Sequence, residues 1–341
     1  MRAAYITGRE SLELREQELP APGPDQVRVR VEHVGICGSD LHYHRHGENS
    51  GFVVREPLIP GHELSGSVDL DPAGRWRHGQ AITVHPARRG PRQPDWPDQP
   101  HLWPGGSYLG SASTWPHTQG AMAEYIVVDS TMLRALPAGL STRTAVLAEP
   151  LAVALHGVRL AGGVRGARVL VAGSGPIGLL AVAAARNAGA LAVTATDVRT
   201  GPLERARQLG ADKAVDVTQE DVPPNSCDVV LECSGALASI SAALDAVCPG
   251  GTVIQVGMVP PESPGPPLTP LITKELTLRG AFRFIDELDD AVSLLAADEQ
   301  IAAVITHQFS LDEVQAAFSA ASDPQASGKV LVSPHIEATA S

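Results

Sequence analysis

The sequence lacks two features that would place it among nucleic-acid or membrane proteins. No cluster of basic residues offsets a formal net charge of −12, so binding to nucleic acid or to anionic membranes is disfavoured. No hydrophobic run is long either, because the longest, residues 177–185, is too short to span a bilayer. Residues 1–20 lack the apolar core of a signal peptide. We therefore expect a cytoplasmic protein with neither nucleic acid nor membrane as a partner.

Cysteine and aromatic residues are also scarce. The chain has four cysteines without paired spacing, and 4% of its residues are aromatic. This cysteine usage argues against a disulfide framework and suits a reducing compartment. Cys227, Cys233 and Cys248 lie on or beside apolar stretches and are interpreted as small buried hydrophobes. The fourth, Cys37, is a candidate metal ligand.

The chain is long enough for two domains, since its 341 residues exceed what one hydrophobic core usually serves. The first third consists of short strands such as 27–31 and 81–84, separated by Gly and Pro. A Pro- and Arg-rich segment over 86–104 is predicted to be an exposed loop. From about residue 151, apolar strands alternate with Ala- and Leu-rich helical stretches, which is the pattern of a parallel βαβ sheet.

These patterns predict an α/β chain with a doubly wound parallel-sheet domain of the Rossmann type and a second, β-rich domain. We assign residues 151–284 to the sheet domain and residues 1–150 and 285–341 to the β-rich domain. A closing strand at 329–332 is expected to return to the first lobe. A discontinuous domain of this kind places the ligand cleft between the two lobes.

A glycine-rich turn lies between a predicted strand and the helix that follows it. The residues of this turn with a predicted cofactor role are Gly173, Gly175, Pro176, Ile177 and Gly178. Glycines at such a point allow a tight turn, admit a pyrophosphate and let the helix pack closely on the strand. An ordinary strand-to-helix turn is the alternative, and the complete βαβ context argues against it.

Asp197 ends the next strand and is predicted to select the cofactor. A carboxylate there accepts hydrogen bonds from the ribose hydroxyls and repels a 2′-phosphate, so NAD is predicted in preference to NADP. Arg199 is an alternative phosphate ligand that leaves room for NADP. Val256 and Gly257, where a later strand ends, are included in the predicted cofactor-binding set.

Residue types that bind zinc occur in the first domain at Cys37, His62 and Glu63. A thiolate, an imidazole and a carboxylate form a mixed set that suits Zn²⁺ and leaves one position for water or substrate. Glu149, at the entry to the second domain, is predicted to complete this set or to bind its water. Taken alone, either glutamate would more often be a structural acid.

A metal site and a dinucleotide site in one chain predict metal-assisted hydride transfer from a secondary alcohol. The hydroxyl proton then needs a path to water. Ser39 and His42, which closely follow Cys37, are the predicted relay. A surface histidine without function is the alternative for His42.

These residues lie in motifs that resemble those of the zinc-dependent medium-chain alcohol and polyol dehydrogenases over essentially the whole chain. The motifs are GICGSDLHYH, PGHELSG, LAEPLAVALHG, GSGPIG and GAFRF. Within the family they are most similar to the polyol and sugar-acid branches, of sorbitol and idonate type. The resemblance implies a GroES-like catalytic domain, one catalytic Zn²⁺, the ligand and relay roles named above, and a homodimer or homotetramer. It also implies that Tyr43 and Arg283 face a polyol or sugar-acid substrate.

Arg283 has an independent chemical reason for that role. A guanidinium binds the carboxylate of a sugar acid as a fork and also donates to the hydroxyls of neutral polyols. Contact with a cofactor phosphate or with a neighbouring loop is the alternative.

The sequence departs from the family pattern after the Gly-His-Glu triplet. Many members carry a second, structural zinc there on four closely spaced cysteines, and this chain has no cysteine in that region. One zinc per subunit is therefore predicted, and residues 88–103 replace the second site.

Several functional alternatives remain open within and beyond this class of enzyme. Sorbitol, xylitol or cyclitol oxidation would use the same metal and cofactor chemistry. A noncatalytic NAD(P)H-binding redox sensor is the alternative of another class. A zinc hydrolase is disfavoured because it would leave the glycine turn without a purpose.

Overall fold

Strands dominate both ends of the chain and alternate with helices in its middle, in a computed structural model that describes residues 1–260 and 263–337. The strands, in chain order, are β1 (Arg2–Gly8), β2 (Ser11–Glu16), β3 (Gln26–Gly35), β4 (Glu48–Asn49), β5 (Phe52–Val53), β6 (Glu63–Leu70), β7 (Ala81–Val84), β8 (Ala87–Arg88), β9 (Ser107–Tyr108), β10 (Tyr125–Asp129), β11 (Leu133–Ala135), β12 (Arg168–Ala172), β13 (Ala192–Asp197), β14 (Lys213–Asp216), β15 (Cys227–Glu232), β16 (Val247–Gln255), β17 (Thr277–Gly280), β18 (Ile305–Ser310) and β19 (Lys329–Ser333). The helices are α1 (Gly38–His46), α2 (Thr142–Ala145), α3 (Ala148–Leu160), α4 (Pro176–Asn187), α5 (Thr200–Gln208), α6 (Leu237–Ala246), α7 (Thr269–Thr273), α8 (Glu287–Ala297) and α9 (Val314–Ala321). Short 3₁₀ turns occur at Pro100–Leu102, Ser130–Met132 and Glu299–Val304. In these described ranges, no helix has the length and apolar character needed to cross a membrane.

The N-terminal third and the C-terminus share one mainly antiparallel sheet. Its strand order is β11-β7-β6-β3-β19-β18, and β10 also pairs with β3. Val27, Val29 and Val31 alternate along β3 and are fully buried, because one face of the sheet packs on the core. The C-terminal strand β19 pairs antiparallel with β3, so the chain returns to its first lobe at this point.

The middle of the chain forms a parallel sheet of order β14-β13-β12-β15-β16-β17. This is the strand order of a doubly wound dinucleotide-binding sheet. All of its strands are parallel, and successive strands are added on one side of β12 up to β14 and on the other side from β15 onward. Ligands bind at the carboxyl ends of strands beside such a change of side, which here are the ends of β12, β13 and β15. The predicted α/β class with a parallel doubly wound sheet is confirmed.

The segment that precedes the returning strands packs with the parallel sheet. Leu288, Ile301 and Val304 share a buried cluster with Val171 of β12 and Leu179 of α4. The sequence prediction placed this segment, from residue 285 onward, in the first domain. We propose instead that the C-terminal part of the first domain begins at β18, because α8 packs its apolar face on the parallel-sheet domain. Residues 338–341 of the predicted segment lie outside the described residues.

Glu287 anchors the start of α8 through several hydrogen bonds. Its carboxylate accepts from His156 Nδ1 at 2.9 Å, Arg159 at 3.1 Å, and the backbone N–H groups of Ile285 and Asp286 at 2.7 and 3.1 Å. Burial raises the pKa of Glu287, but these hydrogen bonds lower it to about 2. The ionised carboxylate therefore stabilises the fold at neutral pH.

The Glu287→Gln variant is expected to be less stable than the parent by roughly 2–3 kcal/mol at pH 7. Because the folded-state pKa is depressed, this difference should be fully present above pH 4.5 and should fade as the pH falls towards 2. Urea unfolding of zinc-free protein at several pH values measures it. Glu299→Gln, an exposed acid nearby, is the control. A difference between parent and Glu287→Gln that stays constant across this pH range would contradict the assignment.

Candidate functional site

The glycine-rich turn connects β12 to α4 at the carboxyl edge of the parallel sheet. Gly173 has φ +91°, a left-handed backbone that favours glycine, and a Cβ there would crowd Ser234. A Cβ at Gly178 would overlap the carbonyl oxygen of Gly173, so helix and turn approach as closely as a glycine allows. Pro176 and Ile177 form the first turn of α4 after Gly175, where free N–H groups favour an anion. The turn thus has the geometry of a pyrophosphate cradle.

Asp197 lies beside this cradle at the end of β13. Its carboxylate accepts hydrogen bonds from the backbone N–H groups of Ser174, Val198 and Arg199 at 2.8–3.0 Å. These bonds hold the carboxylate at the sheet edge next to the turn. The Arg199 side chain is exposed at the start of α5.

Val256 and Gly257 lie on the same edge of the sheet. Both donate their backbone N–H to the carbonyl oxygen of Glu232, at 2.8 Å. A Cβ at Gly257 would overlap the backbone at Gly235, so the chain after β16 passes close to the chain after β15. The predicted cofactor residues therefore converge on one edge of one sheet.

The predicted metal ligands also converge. Cys37 precedes α1, and His62 and Glu63 lead into β6. One ligand atom from each of the three lies within 4.8 Å of the others. His62 and Glu63 are buried, with 7% and 0% of their surface exposed, while Cys37 is partly exposed. Thiolate, imidazole and carboxylate atoms thus meet at a point that a ligand can reach.

Two observations show that these residues fit a zinc ion. First, Glu63 Oε2 is buried without a hydrogen-bond partner, which is costly for a carboxylate oxygen unless a cation binds it. Second, burial lowers the pKa of His62, but the adjacent Cys37 sulfur raises it to about 10. A metal ion that binds the His62 nitrogen would displace this proton. Cys37, His62 and Glu63 would hold the ion.

Asp40 and Lys329 support this group, and the sequence did not indicate either of them. The buried Asp40 carboxylate accepts from the backbone N–H of Cys37 at 2.9 Å and of Gly61 at 3.0 Å, and so ties the two ligand-bearing segments together. Lys329 Nζ, from β19, donates to Glu63 Oε1 at 2.6 Å and to the Ile36 carbonyl at 3.0 Å. Burial lowers the pKa of Lys329, but Glu63 raises it above its ordinary value, so a buried ion pair forms.

Glu149 lies near the metal group but is not one of the residues whose ligand atoms converge there, among those the structure describes. Its Oε1 accepts from the Tyr108 hydroxyl at 2.5 Å, and burial raises its pKa. Tyr108 was missed at the sequence level because a lone tyrosine after a proline-rich loop carries no signal. Its ring also contacts His62 edge-on, with centroids 5.4 Å apart.

Arg283 reaches this site from the second unit. Its guanidinium carbon lies 3.9 Å from the centroid of the Tyr108 ring and 4.7 Å from that of Phe282. Burial lowers the pKa of Arg283 from a value far above neutrality. Within the described part of the chain, no side-chain hydrogen bond or ion pair engages this guanidinium, so its donors are free for a ligand.

The three residues of α1 with predicted roles differ in exposure. Ser39 is partly exposed and His42 is exposed on the first turns of α1. The two form no hydrogen bond with each other here, and the His42 ring instead lies 5.6 Å from that of His46. Tyr43 is 2% exposed, and its role at the substrate stays a prediction. Its hydroxyl contacts Ser111 Oγ at 3.3 Å and accepts from Ala112 N at 3.1 Å, because the second turn of α1 packs into the core.

Residues 88–103, here called the 88–103 lobe, lie between the two strands of the β8–β9 ladder in the chain and begin with the last residue of β8. Ala87 and Arg88 of β8 pair with Tyr108 and Ser107 of β9. The lobe itself is held by Trp103 Nε1 donating to the Trp96 carbonyl at 3.0 Å and by the Arg88–Asp129 ion pair at 2.7 Å. Hydrogen bonds and ion pairs therefore shape this segment.

Comparisons with known proteins agree with this geometry. A family profile described as an alcohol dehydrogenase GroES-like domain matches residues 23–138, and one described as a zinc-binding dehydrogenase matches residues 176–297. These matches confirm the GroES-like domain that the motifs implied. They give no support to the sensor and hydrolase alternatives.

Individual relatives match along most of their length. Sorbitol dehydrogenase from Gallus gallus is 35% identical, over 90% of this chain and 89% of the relative. L-idonate 5-dehydrogenase (NAD(P)(+)) from Escherichia coli is 32% identical over 86% of this chain and 87% of the relative. The crystal structure of the L-idonate 5-dehydrogenase from Escherichia coli superposes with a TM-score of 0.91 at 29% identity, covering 97% of both chains. D-xylulose reductase from Saccharomyces cerevisiae is 34% identical over 86% of both chains.

Proposed function

We propose that this chain, which belongs to the zinc-dependent medium-chain alcohol dehydrogenase family, oxidises a secondary hydroxyl of a sugar acid of the idonate type. That it is a zinc- and NAD(P)-dependent oxidoreductase acting on a polyol or sugar acid follows from its relatives. The sugar acid is favoured by one observation. Arg283 presents an unpaired guanidinium, stacked on Tyr108, beside the candidate metal ligands. Such a fork binds a carboxylate.

The proposed reaction moves a hydride from the carbinol carbon to the nicotinamide and releases the hydroxyl proton to solvent. Zinc, when bound, supplies a Lewis acid that lowers the pKa of the reacting hydroxyl. Cys37, His62 and Glu63 are proposed to hold the zinc ion, and the Tyr108 hydroxyl donates to the carboxylate of the nearby Glu149. Arg283 orients the substrate through its carboxylate.

We propose that Ser39 and His42 carry the released proton to water. Both follow Cys37 on α1, and His42 lies at the surface where it can exchange with solvent. Burial, together with the nearby His46 and Arg45, lowers the pKa of His42, so the imidazole is neutral and able to accept a proton at neutral pH.

A substrate panel tests the proposed function. Idonate, gluconate, sorbitol, xylitol and inositols should be compared with NAD and with NADP, by following absorbance of the reduced cofactor. A sugar acid is expected to have the highest kcat/KM. Sorbitol or xylitol as the best substrate would instead support a neutral-polyol dehydrogenase, a second candidate that the match to sorbitol dehydrogenase favours.

NAD is the proposed cofactor, and Asp197→Ala should weaken the preference for it. The ratio of kcat/KM for NAD to that for NADP is expected to fall about tenfold or more, since the carboxylate that repels a 2′-phosphate is removed. Steady-state kinetics with both cofactors measure this ratio. Asp216→Ala, which changes the aspartate at the end of the neighbouring β14, is the control. An unchanged ratio in Asp197→Ala would remove this residue from the ribose site.

We also propose a homo-oligomer, a dimer or tetramer, that associates through the open edge of the parallel sheet. The strand β17 lies at that edge, and its four residues are exposed. Ile272 and Met258, nearby in sequence, are 75% and 65% exposed. Light scattering of the purified protein would detect association, and a charged substitution such as Leu278→Asp should weaken it.

A further inference from the structure

The segment that carries Arg283 has a conformation that needs support. It runs from β17 to α8, and Arg283 itself has φ +55°, in the left-handed region that non-glycine residues rarely adopt. Such a backbone persists only where surrounding contacts determine it. Phe282 and Phe284 flank it, one exposed and the other buried.

Besides Glu287, which accepts from the backbone N–H groups of Ile285 and Asp286, two side chains of the first domain contact this backbone. His85 Nε2 lies 3.2 Å from the carbonyl oxygen of Ile285, and the His85 ring contacts that of Phe284 with centroids 4.9 Å apart. The Arg89 guanidinium donates to the same Ile285 carbonyl at 3.3 Å and to Asp286 Oδ1 at 2.5 Å. His85, which follows β7, and Arg89, which follows β8, thus both contact the carbonyl oxygen of Ile285, two residues after Arg283.

The same region also presents the ring on which Arg283 stacks. Tyr108 pairs with Ala87 in the β8–β9 ladder, and Arg89 directly follows that ladder. The two chain segments stay close beside the ladder, since a Cβ at Gly90 would overlap the Pro104 carbonyl and a Cβ at Gly106 would crowd that of Arg88. Arg89 and Tyr108 are thus held close together by one short ladder. Arg89 contacts the backbone after Arg283, and the Tyr108 ring contacts the Arg283 guanidinium.

We propose that Arg89, which directly follows the β8–β9 ladder, holds the Arg283 segment in place and is a positioning residue for recognition of the substrate carboxylate. The lobe stands where many relatives carry a structural zinc, and here it takes on a role in substrate selection. This inference rests on the proposed function, because it requires that Arg283 bind the carboxylate of a sugar acid.

Arg89→Ala tests the proposal, with Arg88→Ala as a matched control. Arg88 is the adjacent arginine, has a similar exposure and makes its ion pair with Asp129, away from Arg283. For the best sugar acid of the panel, Arg89→Ala is expected to raise KM about five- to tenfold with little change in kcat. For the neutral polyol of equal carbon number, KM should stay within about twofold. Arg88→Ala should change neither.

Further variants separate a positioning role from a loss of structure. Arg89→Lys should restore part of the affinity, because an ammonium keeps the positive charge beside Asp286 but does not reproduce the planar guanidinium geometry of both contacts. NADH binding and the melting temperature should match the parent in all three variants. In an Arg283→Ala background, Arg89→Ala should add almost nothing, since both act on the same contact.

The outcomes distinguish this inference from the proposed function. If Arg283→Ala weakens the sugar acid and the neutral polyol alike, the proposed carboxylate contact is wrong. If Arg283→Ala selectively weakens the sugar acid but Arg89→Ala affects both substrates equally or neither, the positioning role of Arg89 is wrong and the proposed function stands.

Discussion

Cys37→Ala is expected to abolish zinc retention and to lower turnover by on the order of a thousandfold or more. The substitution removes the one sulfur donor from a group of three and leaves His62 and Glu63, which cannot hold Zn²⁺ tightly as a pair. NADH binding should be nearly unchanged, because the glycine-rich turn lies in the other unit. Zinc per chain, NADH fluorescence titration and steady-state turnover together measure the three quantities.

Cys248→Ala is the control for this experiment. Cys248 is also partly exposed, but it contacts Arg168 and the Asn225 carbonyl, in the parallel-sheet unit away from the metal ligands. It should keep its zinc and its activity. Full zinc content and turnover in Cys37→Ala would refute the metal assignment, whatever the control shows.

Lys329→Met is expected to destabilise the zinc-free protein by about 3–5 kcal/mol. Lys329 and Glu63 form an ion pair in which the side chains are 2% and 0% exposed. Removing the ammonium leaves a buried carboxylate with neither of its oxygens paired, since Oε2 already has no partner. The loss should be clearly smaller in saturating zinc, because a cation beside Glu63 then compensates its charge. Urea unfolding with and without zinc gives both values.

An exposed lysine–glutamate ion pair provides the comparison with the buried Lys329–Glu63 pair. Lys213 and Glu220 are 51% and 57% exposed, and such surface pairs contribute about 0–1 kcal/mol. Lys213→Met should therefore lower the unfolding free energy only slightly, with or without zinc. A loss in Lys329→Met as small as this one, or one that zinc does not reduce, would show that Lys329 does not neutralise Glu63.

The cofactor turn and the helix α1 differ in how far the sequence predicts them, because the turn depends on local contacts and the environment of α1 depends on distant ones. The cofactor turn is a local structure, in which β12, the turn and α4 follow one another, so spacing and residue type suffice to predict it. The burial of Tyr43 could not be predicted in this way, because which side of α1 meets the core depends on elements remote in the chain. The helix α1 has too little apolar character of its own to reveal that side.

Local sequence patterns suffice for the α/β class with its parallel sheet, for the glycine-rich turn followed by Asp197, and for nominating Cys37, His62 and Glu63 as metal donors. These features depend on neighbouring residues, so they can be predicted without knowledge of the fold. They include strand periodicity, helix boundaries such as 287–297 and the chemistry of each ligand type.

Which side chains surround the candidate metal ligands depends on how distant parts of the chain fold together. Lys329 on Glu63, Tyr108 on Glu149 and Arg89 beside Arg283 join residues that are far apart in the chain. Such pairs depend on strand register and on how the two units pack, and a hydrogen bond tolerates only a few tenths of an ångström. No local pattern carries that information, so residue types can nominate the metal ligands but not the side chains that support them.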